Sequence, residues 1–289
     1  MKTPCEISRL APTVGAVFLT AIAACASGAS EPFEQPDAAG ADASESLDST
    51  MPSPAIDASS TPPPALWVLT HDGAVNRLTR VDPITLAVQT TSVLAYAGVL
   101  WELAGTTPTV GYAIDRTADV LVTIDLESGS ISGTTQLAGD MHVNGRGFGA
   151  WEGTLYGIFN GSLRTIAPGS GALGSPLTLQ LGTQAESLES CDGQLYITSR
   201  EASGPRGEKL YAINPVTGTA TLRGTIGSTP IDIDTLACLA ARLYGVDTDP
   251  VLGRTLYTID PATGSPIAAN VLAVSSDING VHITSHTIE

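Results

Sequence analysis

From Ala65 onward, apolar and polar positions alternate in short bursts, each closed by Gly, Pro, Asn or Asp. A period of two over such lengths predicts β-strands. The bursts themselves repeat. The clearest copy reads Arg242-Leu-Tyr-Gly-Val-Asp247, then a short loop, then Thr255-Leu-Tyr-Thr-Ile-Asp-Pro-Ala-Thr-Gly264. An aromatic anchor recurs at Trp67, Tyr112, Tyr156, Tyr196 and Tyr244, at intervals of 45, 44, 40 and 48 residues, so one supersecondary unit fills each interval.

A second strand follows each anchor. Its markers are Leu78 to Asp82, Leu121 to Asp125, Leu163 to Ala167, Leu210 to Asn214 and Leu256 to Asp260. Four of the five reach a glycine after a short turn (Gly129, Gly171, Gly218, Gly264), and Pro stands at positions 83, 168, 215 and 261. Asp-Pro-x-x-Gly favours a tight turn, because Pro presets φ and Gly accepts a positive one. A third strand follows each turn, as in Thr219 to Ile226, and a fourth precedes each anchor, as in Glu186 to Ser190 and Asp234 to Cys238. Four antiparallel strands in roughly 40 to 45 residues is the size of a β-propeller blade. The first unit opens at Leu66-Trp67-Val68 without its innermost strand, while the chain ends on a surplus one, Ile278 to Ile283. The expectation is an all-β, five-bladed propeller in residues 65–289, with the C-terminal strand completing the first blade and closing the ring.

The phrases Leu-Tyr-Gly-Val-Asp and Leu-Tyr-x-Ile-Asp/Asn-Pro-x-Thr-Gly resemble those of bacterial secreted β-propeller repeat proteins of the YVTN/NHL-like type. The resemblance covers residues 65 to 283, closely in blades four and five and loosely in blade three, where Ile166-Ala167-Pro168 has lost the acid. It implies the fold and an extracytoplasmic setting. It implies no shared reaction, because propellers host binding, scaffolding and catalysis alike.

The region before residue 65 has another character. Lys2 and Arg9 precede an apolar stretch from Leu10 to Ala24, too short to span a bilayer but suited to a secretory signal over residues 1–24. The stretch ends Ile22-Ala23-Ala24-Cys25, which resembles a bacterial lipoprotein signal and implies that Cys25 is lipidated and becomes the N-terminus. Ala26 after the cysteine, by the same resemblance, implies the outer membrane; ordinary secretion with cleavage nearby is the plainer reading. Residues 26–64 carry no Lys or Arg, and seven acids stand among Ala, Ser, Pro and Thr. Such a segment cannot bury enough apolar surface to offset its ordering entropy, so a disordered acidic tether is expected over 25–64.

Composition narrows the partners. With 43% hydrophobic residues and 15% charged, the chain can bury a core, and a formal charge of -16 makes nucleic acid and anionic membrane surfaces poor partners. Contact with a membrane is expected through the lipid only. The domain is expected to be a monomer meeting an unidentified protein or glycan.

Candidate chemistry lies between the repeats. The blade register places one residue per inner strand near its start, giving Glu102, Arg146, Glu186, Asp234 and Asn279. They form either a polar ring that holds a ligand at the channel mouth or the ordinary polar lining of a water-filled channel. A pair such as Glu186 with Asp234, or Glu102 with Glu186, would serve a carbohydrate-active enzyme working through two carboxylates. Aromatics at 5%, mostly spent on the anchors, argue against a sugar groove and favour a non-catalytic binding module. No Gly-x-Ser-x-Gly elbow, phosphate loop, HExxH or CxxC is present, and no cofactor is expected. Asp232, Asp234, Asp247 and Asp249 offer oxygens to Ca²⁺ but lack the spacing of a calcium loop, so solvated loop acids are the simpler reading. The ring closure would also bring His282 and His286 beside His71. Cys191 and Cys238 occupy near-equivalent places on neighbouring inner strands, which in an exported chain suggests a disulfide; two buried thiols facing different cores is the other reading.

Overall fold

The structure, a computed structural model, describes residues 63–138, 147–181, 184–200, 208–227, 231–248, 254–274 and 277–284. Arg146, His142, Asp249, His286, Cys25 and the segment before residue 63 lie outside the described residues.

The described residues form five antiparallel four-stranded sheets and no helix. Blade 1 begins with β1 (Ala65–His71), β2 (Asn76–Val81) and β3 (Val88–Leu94). Blade 2 is β4 (Trp101–Thr107), β5 (Val110–Asp115), β6 (Val120–Asp125) and β7 (Ser130–Gln136). Blade 3 is β8 (Phe148–Trp151), β9 (Thr154–Phe159), β10 (Ser162–Ile166) and β11 (Leu177–Thr178). Blade 4 is β12 (Gln184–Cys191), β13 (Gln194–Arg200), β14 (Glu208–Ile213) and β15 (Ala220–Ile226). Blade 5 is β16 (Ile233–Leu239), β17 (Arg242–Asp247), β18 (Thr255–Ile259) and β19 (Pro266–Val271). The last strand, β20 (Asp277–Thr284), returns to pair with β1 as the innermost strand of blade 1. The fold is therefore a five-bladed β-propeller closed by its C-terminal strand.

Burial follows a strand's place in its blade. Inner and middle strands are mostly buried, whereas β3, β7 and β19 are largely exposed along their length. No blade holds a core of its own. Each hydrophobic cluster spans two neighbours: Trp67 and Leu69 of blade 1 pack on Leu103 and Val122 of blade 2, and Val246 of blade 5 packs on Val68 and Val281 of blade 1. Each fully buried aliphatic side chain at such a seam contributes roughly 1.5–3 kcal/mol.

The turn phrase explains how the blades meet. The Asp82, Asp125, Asn214 and Asp260 side chains accept hydrogen bonds from backbone N–H groups two or three residues on, at 2.8–3.0 Å. These bonds hold the Asp82, Asp125 and Asp260 carboxyls below the usual carboxylate range. The closing glycine then sits at a φ between 64° and 72°. A methyl group at Gly129, Gly171, Gly218 or Gly264 would also press on the outer part of the preceding blade: Ser92, Gln136, Thr178 and Gly224 in turn. The glycine thus serves both the turn and the seam. Blade 1 lacks it, and Leu86 takes the same left-handed conformation at φ 58° while packing into the seam with blade 5.

One expectation needs correction. His282 does not stand beside His71, because the antiparallel register sets His282 opposite Trp67 and His71 opposite Asp277, at the two ends of one ladder. Blade 3 is less regular than its neighbours: β10 and β11 share only the pairs Ser162↔Thr178 and Leu163↔Leu177. Ala167 there has no carboxyl to organise the turn, which is held by backbone bonds from Ser170 and Gly171 to the Ala167 carbonyl.

Candidate functional site

The inner strands β4, β8, β12, β16 and β20 neighbour one another around the axis. Near the start of β4, β12, β16 and β20 the pairing slips at a β-bulge, skipping Glu102 with Leu103, Glu186, Asp234 and Asn279. A bulge re-aims the side chain it carries. The four described positions singled out by register are thus structurally equivalent.

Their side chains, however, are turned to the protein itself. Buried Glu102, at φ 56°, accepts a hydrogen bond from the Arg116 guanidinium at 2.6 Å, and that guanidinium stands 5.1 Å from the centre of the Trp101 ring. Asn279 donates to the Leu100 carbonyl at 2.8 Å, and Asp234 accepts from the Thr248 hydroxyl. Glu186 is buried beside Glu208 of β14. Burial pushes the Glu208 carboxyl up to about 8, with the charges of Asp232 and Glu186 adding and the Ile233 N–H, bonded to Oε2 at 2.9 Å, opposing. Asp232 pairs with Arg200 at 2.8 Å. Of the acids weighed for Ca²⁺, Asp232 and Asp234 are therefore engaged, and Asp247 is fully buried and accepts from the Asp232 N–H at 3.4 Å. Among the described residues no three His, Cys, Asp or Glu side chains come together as metal ligands.

The opposite end of the inner strands is open. A cavity of about 1070 Å³ is lined there by the ends of all five, from Gly105–Thr107 in β4 to His282–Thr284 in β20. Its rim includes the two-residue hairpins Glu152-Gly153, Asp192-Gly193 and Ala240-Ala241, in which both residues take positive φ, the type I′ geometry that matches strand twist. The Trp151 indole N–H, bonded to the Gly193 carbonyl at 3.0 Å, ties two of these hairpins together.

Two polar side chains in this wall lack a full set of partners. Glu189 is 5% exposed; its Oε1 accepts from the Ser190 N–H at 2.9 Å and its Oε2 has no partner. Burial pushes its carboxyl up to about 8. His282 is 9% exposed, its Nδ1 has no partner, and burial pushes the imidazole down to about 4. Both are therefore neutral at pH 7. The ring of His282 fits because residue 105 is glycine, where a methyl group would overlap it.

The sequence did not single out Glu189, and it drew attention to His282 only as a neighbour of His71, although a signal for both existed. Glu189 faces Tyr196 across its ladder and His282 faces Trp67, so both oppose a blade anchor. The same place holds Ala104 opposite Tyr112, Gly149 opposite Tyr156 and Ala237 opposite Tyr244. Two polar residues at an otherwise small-residue position mark the channel wall.

The same wall carries a disulfide. Cys191 at the end of β12 and Cys238 in β16 are bonded with their Cα atoms 5.3 Å apart, and Cys238 lines the cavity. The link closes a loop with a sequence separation of 47, for which chain-entropy reasoning gives on the order of 2–4 kcal/mol. Replacing both cysteines by serine is expected to lower the melting temperature by roughly 5–15 °C, read by circular dichroism. An unchanged melting temperature would show that the link contributes nothing.

The described residues thus form a five-bladed β-propeller with a cavity at one end of its inner strands. No family model matches the chain, and no curated protein matches it either. Among solved structures 894 chains are similar, which matches a fold used for many purposes. A chain in the crystal structure of a nidogen/laminin complex is 14% identical, with a TM-score of 0.50 over 77% of this chain and 98% of that one. Hydrazine synthase of Kuenenia stuttgartiensis is 13% identical at a TM-score of 0.42, covering 66% of this chain and 54% of that one. Glutaminyl cyclase of Myxococcus xanthus is 19% identical at 0.45, covering 59% and 76%. At 14% identity the likeness to the nidogen/laminin complex chain is one of fold alone.

Proposed function

We propose that this chain is a non-catalytic binding module of the bacterial cell envelope, carried to the outer membrane by lipid on Cys25 and spaced from it by the acidic segment that follows. The observation that supports the binding role is the axial cavity, where Glu189 and His282 each hold a buried polar atom without a partner. Buried polar atoms cost free energy when unmatched, and a ligand that matches them recovers it. The support for the address is the sequence from Lys2 to Cys25.

The competing reading, a carbohydrate-active enzyme, is less well supported. Such an enzyme needs two free carboxylates flanking an aromatic-lined cleft. Glu102 is tied to Arg116 and Asp234 to Thr248, and the described lining of the cavity contains no Phe, Tyr or Trp.

A thermal-shift screen of the purified protein against glycans, divalent cations and amines tests the binding role. A saturable rise in melting temperature with one class is expected. No shift with any of them would remove the small-ligand site and leave protein partners alone. For the address, radiolabelled palmitate is expected to enter the wild-type chain and not a Cys25→Ser variant; equal labelling would remove the anchor at that residue.

A further inference from the structure

We propose that the axial cavity receives a primary ammonium group at the end of an alkyl chain, as on a lysine side chain or a free alkylamine, with Glu189 as its principal acceptor. The inference rests on the cavity being the binding site and names what enters it.

Charge is the first argument. The ionisable acids and bases in the cavity lining are Glu152, Glu189, Asp192 and His282, with neither Lys nor Arg among the described lining residues; Glu189 and His282 are neutral in the empty cavity, so its charge comes from the rim acids Glu152 and Asp192. A concave site of one sign focuses the potential of a chain whose net charge is already -16, and it concentrates cations. Unmatched acceptor capacity is the second. Glu189 is 95% buried by its 5% exposure, and its Oε2 makes no hydrogen bond, whereas the exposed acids Glu152 and Asp192 are solvated; an arriving ammonium favours the ionised carboxylate, so Glu189 gives up its proton to solvent as the cation binds and Oε2 becomes an acceptor. His282 adds an acceptor at Nδ1 in the tautomer that carries its proton on Nε2.

The form of the cation follows from what else lines the wall. A quaternary ammonium is held by aromatic faces, and the described lining has none. A divalent metal needs several converging oxygen or nitrogen ligands, and no three such side chains meet among the described residues. A primary ammonium instead brings three N–H donors and an apolar stem. Glu189, His282 and the hydroxyls of Thr106, Thr107 and Ser190 can accept those donors, while Ala150 and Leu239 offer surface to the stem.

The test is calorimetric titration of the full chain at roughly 150 mM salt, where attraction to the acidic surface is screened. The probes are Nα-acetyl-lysine methylamide, n-butylamine and the trimethylated form of the lysine probe. Both primary amines are expected to bind saturably, the trimethylated probe at least tenfold more weakly, and Glu189→Gln to weaken the primary amines at least tenfold while keeping the wild-type circular dichroism spectrum. Tighter binding of the lysine probe than of butylamine would point to a polypeptide source, and equal binding to a free amine; both results support the ammonium site. Failure of either amine to bind at about 10 mM, where a millimolar site saturates, would overturn it. Equal binding by folded Glu189→Gln, or by the trimethylated probe, would overturn it as well. If a neutral sugar or an anion binds in a Glu189-dependent way instead, the ammonium assignment falls and the cavity remains the binding site. If no probe depends on Glu189, both fall together.

Discussion

Removing residues 275–289 is expected to abolish the cooperative thermal transition of the propeller. The deletion takes away β20, and with it the ladder that pairs Ala65 to Thr284 at one end and His71 to Asp277 at the other. It also strips Ile278, Val281 and Ile283, all at most 4% exposed, from the core between blades 5 and 1. At about 1.5–3 kcal/mol for each buried aliphatic side chain, that loss alone is comparable with the roughly 5–15 kcal/mol that keeps a typical domain folded. The neighbouring seam opens too, since Gly280 packs so close to the backbone of Glu102 and Leu103 that a side chain there would collide. An edge of β1 that is fully paired in the ring would then face solvent and other chains. Calorimetry checks this: a truncated chain that melts in one transition within about 5 °C of the intact protein would mean that the ring does not depend on its closing strand. A synthetic peptide spanning 275–289, added in excess, is expected to restore part of the transition by strand addition.

That closure was legible because it is an imbalance countable along the chain: one repeat short of an inner strand and one strand without a repeat. The turn phrase was legible as a turn for the same local reason. Its second role was hidden, because the contact of Gly171 with Gln136 or of Gly264 with Gly224 joins residues of different blades, and spacing along the chain does not report distance between sheets. The bulge residues illustrate a similar division. Offset from the anchor places Glu102, Glu186, Asp234 and Asn279 at one level, but the Arg116 and Thr248 that engage two of them, although each stands four residues after its anchor, differ in residue type from blade to blade, and spacing does not show that they reach back to the bulge. Glu189 escaped notice, and His282 was noticed only for its supposed nearness to His71, because polar residues are unremarkable in an alternating strand, and burial distinguishes them only once five strand ends converge.

Burial of these groups has a consequence for stability as a function of pH, expected to be greatest near pH 5 and to fall toward pH 8. Glu189 and Glu208 each titrate near 8 in the folded protein against 4.5 as the ordinary value. The folded chain therefore binds their protons more tightly than the unfolded chain, and stability declines as pH rises from about 4.5 to about 8. His282 acts in the other direction: its folded value near 4 lies below the ordinary 6.5, so stability declines as pH falls between them. Two carboxyls outweigh one imidazole over the shared window, which leaves the optimum on the acid side. Below it the turn carboxylates Asp82, Asp125 and Asp260, held low by backbone N–H groups, lose their contribution as they protonate. At pH 8 each buried Glu costs on the order of 3–5 kcal/mol. Glu189→Gln keeps the shape and an acceptor for Ser190 N–H while removing the titration. It is expected to raise the melting temperature by roughly 10 °C at pH 8 and by little at pH 5. Melting curves at the two pH values decide the matter: the same difference between variant and wild type at both would mean that Glu189 is ionised in the folded protein, and that its carboxyl is solvated where the structure has it buried.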